Sequence, residues 1–113
     1  METINAEELK KKIDNNESFK LVDVLSKNSY DARHIPKAIN LLGSEIEEKA
    51  SEILPDKNEE IIVYCSSETC QASPNAGKKL EEIGYKNVKH FPGGLAGWQE
   101  AGFKFEGETN EKG

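Results

Sequence analysis

Short apolar runs alternate along this chain with amphipathic stretches, and the alternation predicts strands and helices in turn. Asn5 is a helix cap with Glu8 as its reciprocal partner, and Leu9 and Ile13 then form an apolar stripe that Asn15-Asn16 end. Phe19-Lys20-Leu21-Val22-Asp23-Val24 reads as a buried strand. Ser26 to Arg33 is polar and holds a helical turn, and His34-Ile35-Pro36 must be extended, because a residue before proline avoids the helical region. Ala38-Ile39-Asn40-Leu41 is a second strand, and Ser44 caps a helix with Ile46, Ala50 and Ile53 on its apolar side. Glu60-Ile61-Ile62-Val63-Tyr64 is the clearest strand; its continuous β-branched run belongs in the middle of a parallel sheet. It leads directly into Cys65. Ser73-Pro74 reads as a cap followed by proline at the first helical position, with Ala76, Leu80 and Ile83 as the buried stripe and Gly84 as the stop. Val88-Lys89-His90-Phe91 is another strand, and Pro92-Gly93-Gly94 turns into a last helix carrying Leu95 and a core Trp98.

Strands and helices alternating at this spacing predict one α/β domain around a parallel sheet. The chain of 113 residues has room for a single domain. It is expected to occupy 1–105, with 106–113 a frayed polar tail. The net charge of -6 disfavours nucleic acid and anionic membranes as partners, and the lysines are scattered rather than gathered into a patch. No apolar run approaches the ~20 residues of a membrane span, and the acidic N-terminus lacks the pattern of a signal peptide. A cytoplasmic protein is expected.

Candidate chemistry rests on two cysteines, Cys65 and Cys70. They fall short of a four-ligand zinc site, and His34 and His90 show no metal spacing with them, so neither metal nor cofactor is expected. A reducing cytosol also disfavours a purely structural disulfide. Cys65 ends a buried strand, a polar loop follows, and a helix begins; ligands of open α/β sheets sit at such strand ends. Loop amides and a helix N-terminus there present positive partial charge, which lowers a thiol's pKa and can hold a persulfide anion. The alternative is that Cys65 is a small hydrophobe at a strand end.

Several stretches in order resemble the rhodanese homology domain: Leu21-Val22-Asp23-Val24, Tyr30 with His34 through Asn40, Ile62-Val63-Tyr64-Cys65, Leu80 through Val88, and Gly93-Gly94 with Trp98. The resemblance implies a rhodanese-like α/β fold, a central parallel sheet of about five short strands flanked by helices on both faces. It implies a sulfurtransferase that moves sulfane sulfur, through a persulfide on Cys65, to a thiol or other thiophilic acceptor. Ser66, Ser67, Glu68, Thr69 and Gln71 are then the candidate substrate-binding positions. Asp23 either orients the loop or fixes local backbone groups, and His34 anchors a turn.

The departures from the family pattern carry as much weight. Its loop usually holds arginine and glycine; here Ser66 to Ser73 contains no cation, Glu68 adds negative charge, and Cys70 stands near the usual arginine. The path from Cys65 to Gly84 is about two residues longer, Leu25 replaces a frequent arginine, and Lys37 a glycine. Losing one charge-assisted contact to a dianion costs ~1.5–3 kcal/mol, so thiosulfate is expected to be a poor donor. A persulfide, a polysulfide or a protein donor is expected instead. Arg33, the one arginine, restores anion binding only if it points at the loop. Cys70 is either a resolving thiol, attacking the persulfide to release sulfide and leave a disulfide, or a spectator.

Three other functions compete. A cysteine phosphatase or arsenate reductase needs arginine six residues after its nucleophile, and Gln71 stands there. A thiol-disulfide redox or sensor protein would use the Cys65/Cys70 pair without sulfur transfer. An inactive rhodanese module would act by binding alone.

Overall fold

In the computed structural model, residues 1–107 are described. The elements are β1 (Glu2–Thr3), α1 (Ala6–Asp14), β2 (Lys20–Asp23), α2 (Lys27–Ala32), β3 (Ala38–Asn40), a 3-10 turn at Gly43–Glu45, α3 (Ile46–Ile53), β4 (Ile61–Tyr64), α4 (Ala72–Glu82), β5 (Val88–His90) and α5 (Gly94–Glu100). The five strands form one sheet in the order β1-β5-β4-β2-β3, every neighbouring pair parallel. As the apolar run at 60–64 predicts, β4 is central and buried throughout. The strand β1 has no counterpart in the sequence reading. Two polar residues carry no period, and only the exposed edge of β5 makes them a strand.

Alternation along the strands splits the core into two layers. Val22, Ile61 and Val63 pack with Ile46 and Ala50 of α3 and Ala76 and Leu80 of α4. On the other face Leu21, Ile62 and Tyr64 pack with Leu9 of α1 and Leu95 and Trp98 of α5. The sheet is therefore covered by helices on both sides, which places its functional end at the strands' carboxyl termini.

Local capping follows the sequence in part. Asn5 Oδ1 accepts from the Glu8 N–H at 2.8 Å and Glu8 Oε1 from the Asn5 N–H at 2.9 Å, the reciprocal cap expected for α1. Ser44 does not cap α3: it sits inside the 3-10 turn that leads into the helix, and no side chain caps that end. Ser73 does not cap α4 either. That helix starts earlier, at Ala72, with Gln71 before it, so Pro74 is its third residue. Proline costs nothing there, because the first amides of a helix have no intrahelical acceptor. Gly84, at φ +108°, accommodates the turn that ends α4.

The two positions expected to support the site are each tied to neighbouring backbone. Asp23 is fully buried; its carboxylate accepts from the Leu25 N–H at 2.9 Å and from the Tyr64 hydroxyl at 2.8 Å. That hydroxyl in turn accepts from the Ile35 N–H at 3.1 Å, so one cluster joins β2, β4 and the Ile35-Pro36 segment. Burial holds the Asp23 carboxyl above the usual range, against the opposing pull of those two donors. His34 stacks on Tyr30, and its Nδ1 lies 2.8 Å from the Tyr30 carbonyl oxygen. Its backbone exchanges two hydrogen bonds with Glu106, of 2.8 and 2.9 Å. Glu106 is thus held to the domain, beyond the expected boundary at 105, because the bridge satisfies its amide; the expected tail at 108–113 lies outside the described residues. Among the described residues no helix is long and apolar enough to cross a membrane.

The Asp23–Tyr64–Ile35 cluster yields a stability test. Tyr64→Phe leaves a buried carboxylate oxygen and the Ile35 amide short of a partner, and should cost about 2 kcal/mol or more in denaturant unfolding. A loss below about 0.5 kcal/mol would show that these groups find other partners.

Candidate functional site: a two-thiol loop

The loop begins where β4 ends. Its first two carbonyls are pinned by the start of α5: Leu95 N–H donates to Cys65 O at 3.0 Å and Ala96 N–H to Ser66 O at 2.9 Å. Such an approach requires glycine at position 94. Gly94 has φ +59°, and a Cβ there would overlap the Cys65 carbonyl oxygen. The loop then curls back: Cys70 N–H donates to Ser67 O at 3.1 Å, and the Ser67 and Thr69 hydroxyls lie 3.1 Å apart.

The curl sets the two sulfurs in different surroundings. Cys65 is buried, 1% exposed, with its Sγ 3.5 Å from the Cys70 carbonyl oxygen and 3.2 Å from Ser73 Oγ. Cys70 is half-exposed, and both thiols are free. Burial pushes the Cys65 thiol up, and the hydrogen bond it gives to Cys70 pushes it further; the Ser73 hydroxyl and amide oppose this without overcoming it. On Cys70, burial also pushes upward. It is outweighed by the neighbouring Cys65 thiol and by the polar groups of Ala72 and Ser66, so this thiol lies below its ordinary value.

This runs against the sequence expectation that loop dipoles acidify Cys65. Cys65 sits at the level of the packed core, whereas five residues of loop bring Cys70 to a half-exposed place with its carbonyl oxygen on the Cys65 sulfur. The inner thiol is thus the harder of the two to ionise.

Of the remaining candidates, Ser66 contributes both its amide and its hydroxyl to Cys70. Ser67 and Thr69 bond each other and shape the turn. Glu68 is exposed and lines a shallow cleft with Phe91, Pro92 and Gly93. Gln71 is exposed in front of α4. Asp23, in register with Tyr64, and His34 are tied to neighbouring groups as described above rather than hydrogen-bonded to a sulfur. Arg33 does not reach the loop: it donates to Gln99 Oε1 at 3.1 Å and stacks over Phe105. The donors that act on the two sulfurs are all neutral.

Two residues escaped the sequence reading. Ser73, fully buried, turns its hydroxyl to Cys65 and to His90 Nε2, which is 2.7 Å away. Ser73 looked like a cap, and His90 carried no motif. The available signal was topological: β4 and β5 are adjacent and parallel with Val63 opposite His90, so both chain ends emerge together.

The chain's relatives fit this geometry. The sequence profile described as "Rhodanese-like domain" matches residues 5–101. The chain is similar to "Putative sulfurtransferase YtwF" of Bacillus subtilis (strain 168), 33% identical over 109 residues that cover 96% of this chain and 94% of that protein. It is 35% identical over 74 residues to "Thiosulfate sulfurtransferase PspE" of Escherichia coli (strain K12), covering 66% of this chain and 68% of the relative. Some relatives are longer: the chain spans 49% of "Putative sulfur carrier protein YrkF" of Bacillus subtilis (strain 168). Among solved structures, the BH2092 protein from Bacillus halodurans superposes with a TM-score of 0.91 at 29% identity, covering 99% of this chain and 81% of the other.

Two outcomes follow from the site's geometry. Limited iodoacetamide near neutral pH should label Cys70 before Cys65, as read by peptide mass; the reverse order would mean that the outer sulfur is not the ionised one. Gly94→Ala should destabilise the fold by about 2 kcal/mol or more, since it combines a left-handed backbone with a clash against the loop carbonyl. An unchanged denaturation midpoint would show that the loop anchors elsewhere.

Proposed function

This chain belongs to the rhodanese-like family, and from that membership we propose that it is a sulfurtransferase carrying sulfane sulfur as a persulfide on Cys65. The observation that supports this best is the placement of two free thiols at the end of β4, Cys65 Sγ lying 3.5 Å from the Cys70 carbonyl oxygen. A proton shift between the two thiols converts Cys65–SH and Cys70–S⁻ into Cys65–S⁻ and Cys70–SH. The inner sulfur thereby becomes a thiolate without any side-chain cation. It attacks the outer sulfur of a persulfide donor, RSSH: a new S–S bond forms, the donor's S–S bond breaks, and RS⁻ departs as the thiol once protonated. An acceptor thiolate then attacks the terminal sulfur of the Cys65 persulfide and regenerates the Cys65 thiolate.

Cys70 offers a second exit. Its thiolate attacks the inner sulfur of the Cys65 persulfide, forming a Cys65–Cys70 disulfide and expelling HS⁻. The sulfane sulfur is reduced to sulfide as the two cysteines are oxidised, and two equivalents of an external thiol restore the pair. The fitting donors are persulfides and polysulfides, or a protein carrying one, and a reducing cytoplasmic setting keeps both thiols available. Thiosulfate is disfavoured here, although the relative PspE is named for it: Cys70 stands near the family's usual arginine, and Arg33 is bonded to Gln99. Without that contact, thiosulfate should load roughly ten- to a hundredfold less well.

Two free thiols in one loop also favour a second reading, thiol-disulfide exchange without sulfur transfer. Intact mass after incubation with polysulfide or thiosulfate separates the two. Sulfur transfer gives a one-sulfur gain with polysulfide that Cys65→Ser abolishes and Cys70→Ser prolongs, with thiosulfate at least about tenfold slower. A disulfide in wild type, with no one-sulfur gain either there or in Cys70→Ser, would favour redox exchange. Equal loading by both donors would refute the donor ranking.

A further inference from the structure

We infer that Ser73 and His90 form a proton relay for Cys65, with His90 as the positioning residue at its far end. The inference rests on the sulfur-transfer reading for its use, but its geometry stands by itself. Cys65 Sγ lies 3.2 Å from Ser73 Oγ, and Ser73 Oγ lies 2.7 Å from His90 Nε2, an unbroken file of three groups running in from the loop. Ser73 is fully buried, and its hydroxyl is not spent on capping α4, the usual employment of a serine at a helix start. Its side-chain partners are Cys65 and His90. The third group arrives from a different element, set opposite Val63 by the parallel register of β4 and β5.

Burial holds the His90 imidazole below its ordinary value, so near neutral pH it is uncharged and Nε2 can accept. With Cys70 protonated, the one Cys65 proton turns from Cys70 to Ser73, whose hydroxyl then donates to Nε2 and accepts from the thiol. When Cys65 attacks a sulfur donor with Cys70 protonated, its S–H bond breaks and the proton passes to Ser73 Oγ. The original Ser73 proton passes to Nε2, leaving imidazolium and a serine hydroxyl now donating to the sulfur. Reversal returns the proton when Cys65 is released. No outside acid or base is consumed, and the shared proton with Cys70 remains a separate route.

The charged neighbours are committed elsewhere. Lys89, beside His90 on β5, pairs with Glu60 and Glu2. From α4, Lys79 pairs with Glu47 while Lys78 is exposed, and Glu68 of the loop is exposed. Among the described residues the titratable groups of this file are then Cys65 and His90, with Cys70 beside Cys65, and removing Cys70 isolates the file.

The test uses the full chain carrying Cys70→Ser and measures iodoacetamide labelling of Cys65 against pH, with and without His90→Gln. Near pH 7 the His90→Gln change should slow labelling about tenfold or more, a modest share of the roughly 10²–10⁴-fold that a general base can contribute. At strongly alkaline pH, where hydroxide has already taken the thiol proton, the two rates should agree within about twofold. Ser73→Ala should show the same split. A neutral-pH rate that does not fall, or a loss that persists unchanged at alkaline pH, overturns the relay. Should either variant fail to fold, the other decides by the same split, together with Ser73→Thr, which keeps the hydroxyl. A Ser73→Thr rate within about twofold of Cys70→Ser alone upholds the relay, and a fall of about tenfold overturns it. Labelling requires no sulfur donor, so the outcome is independent of whether the chain transfers sulfur.

Discussion

Two backbone hydrogen bonds at the mouth of the sheet govern the rest of the site. The amides of Leu95 and Ala96 take the carbonyls of Cys65 and Ser66, fixing where the central strand stops and where its loop turns. Because those carbonyls are held, Cys65 stays at core depth and the following residues must fold back over it. Gly94 makes the approach possible, since any side chain there would meet the carbonyl it is meant to serve. The opposition of a buried and a half-exposed sulfur follows from this pinning.

The loop then shows how an anionic sulfur is held without a cation. A side-chain cation attracts an anion at long range and brings a dianion such as thiosulfate with it. Amides, hydroxyls and a neighbouring thiol act only at contact, each through one directed hydrogen bond, and they suit a monoanion of the size of sulfur itself. Of the two thiols here, Cys70 is the one held below its ordinary value.

The same end of the sheet gathers groups that share no sequence neighbourhood. Ser73 comes from α4, His90 from β5 and Cys65 from the end of β4, and the sheet order makes them adjacent. The Asp23–Tyr64–Ile35 cluster holds the strand ends beneath them. It keeps buried polar groups satisfied just below a site whose own polar atoms must remain free to exchange partners.

Much of this protein was legible from local pattern. The β-branched run before Cys65 identified the central strand, Asn5 with Glu8 the first helix, and the ordered stretches from Leu21 to Trp98 the family. Such features depend on residues near one another in sequence, and local sterics and periodicity express them directly. The helix starts at Ser44 and Ser73 were misplaced because a cap is read from a side chain's preference, whereas the fold can offer that side chain a better partner. The acidity of the two thiols could not be read at all. It depends on the depth of each sulfur and on which amides reach it, and both follow from how α5 meets β4 across some thirty residues of chain. The sequence by itself determined a parallel sheet whose central strand ends at Cys65. The tertiary structure alone decided how deeply each of the two sulfurs lies, since burial and hydrogen bonding are properties of a place in space.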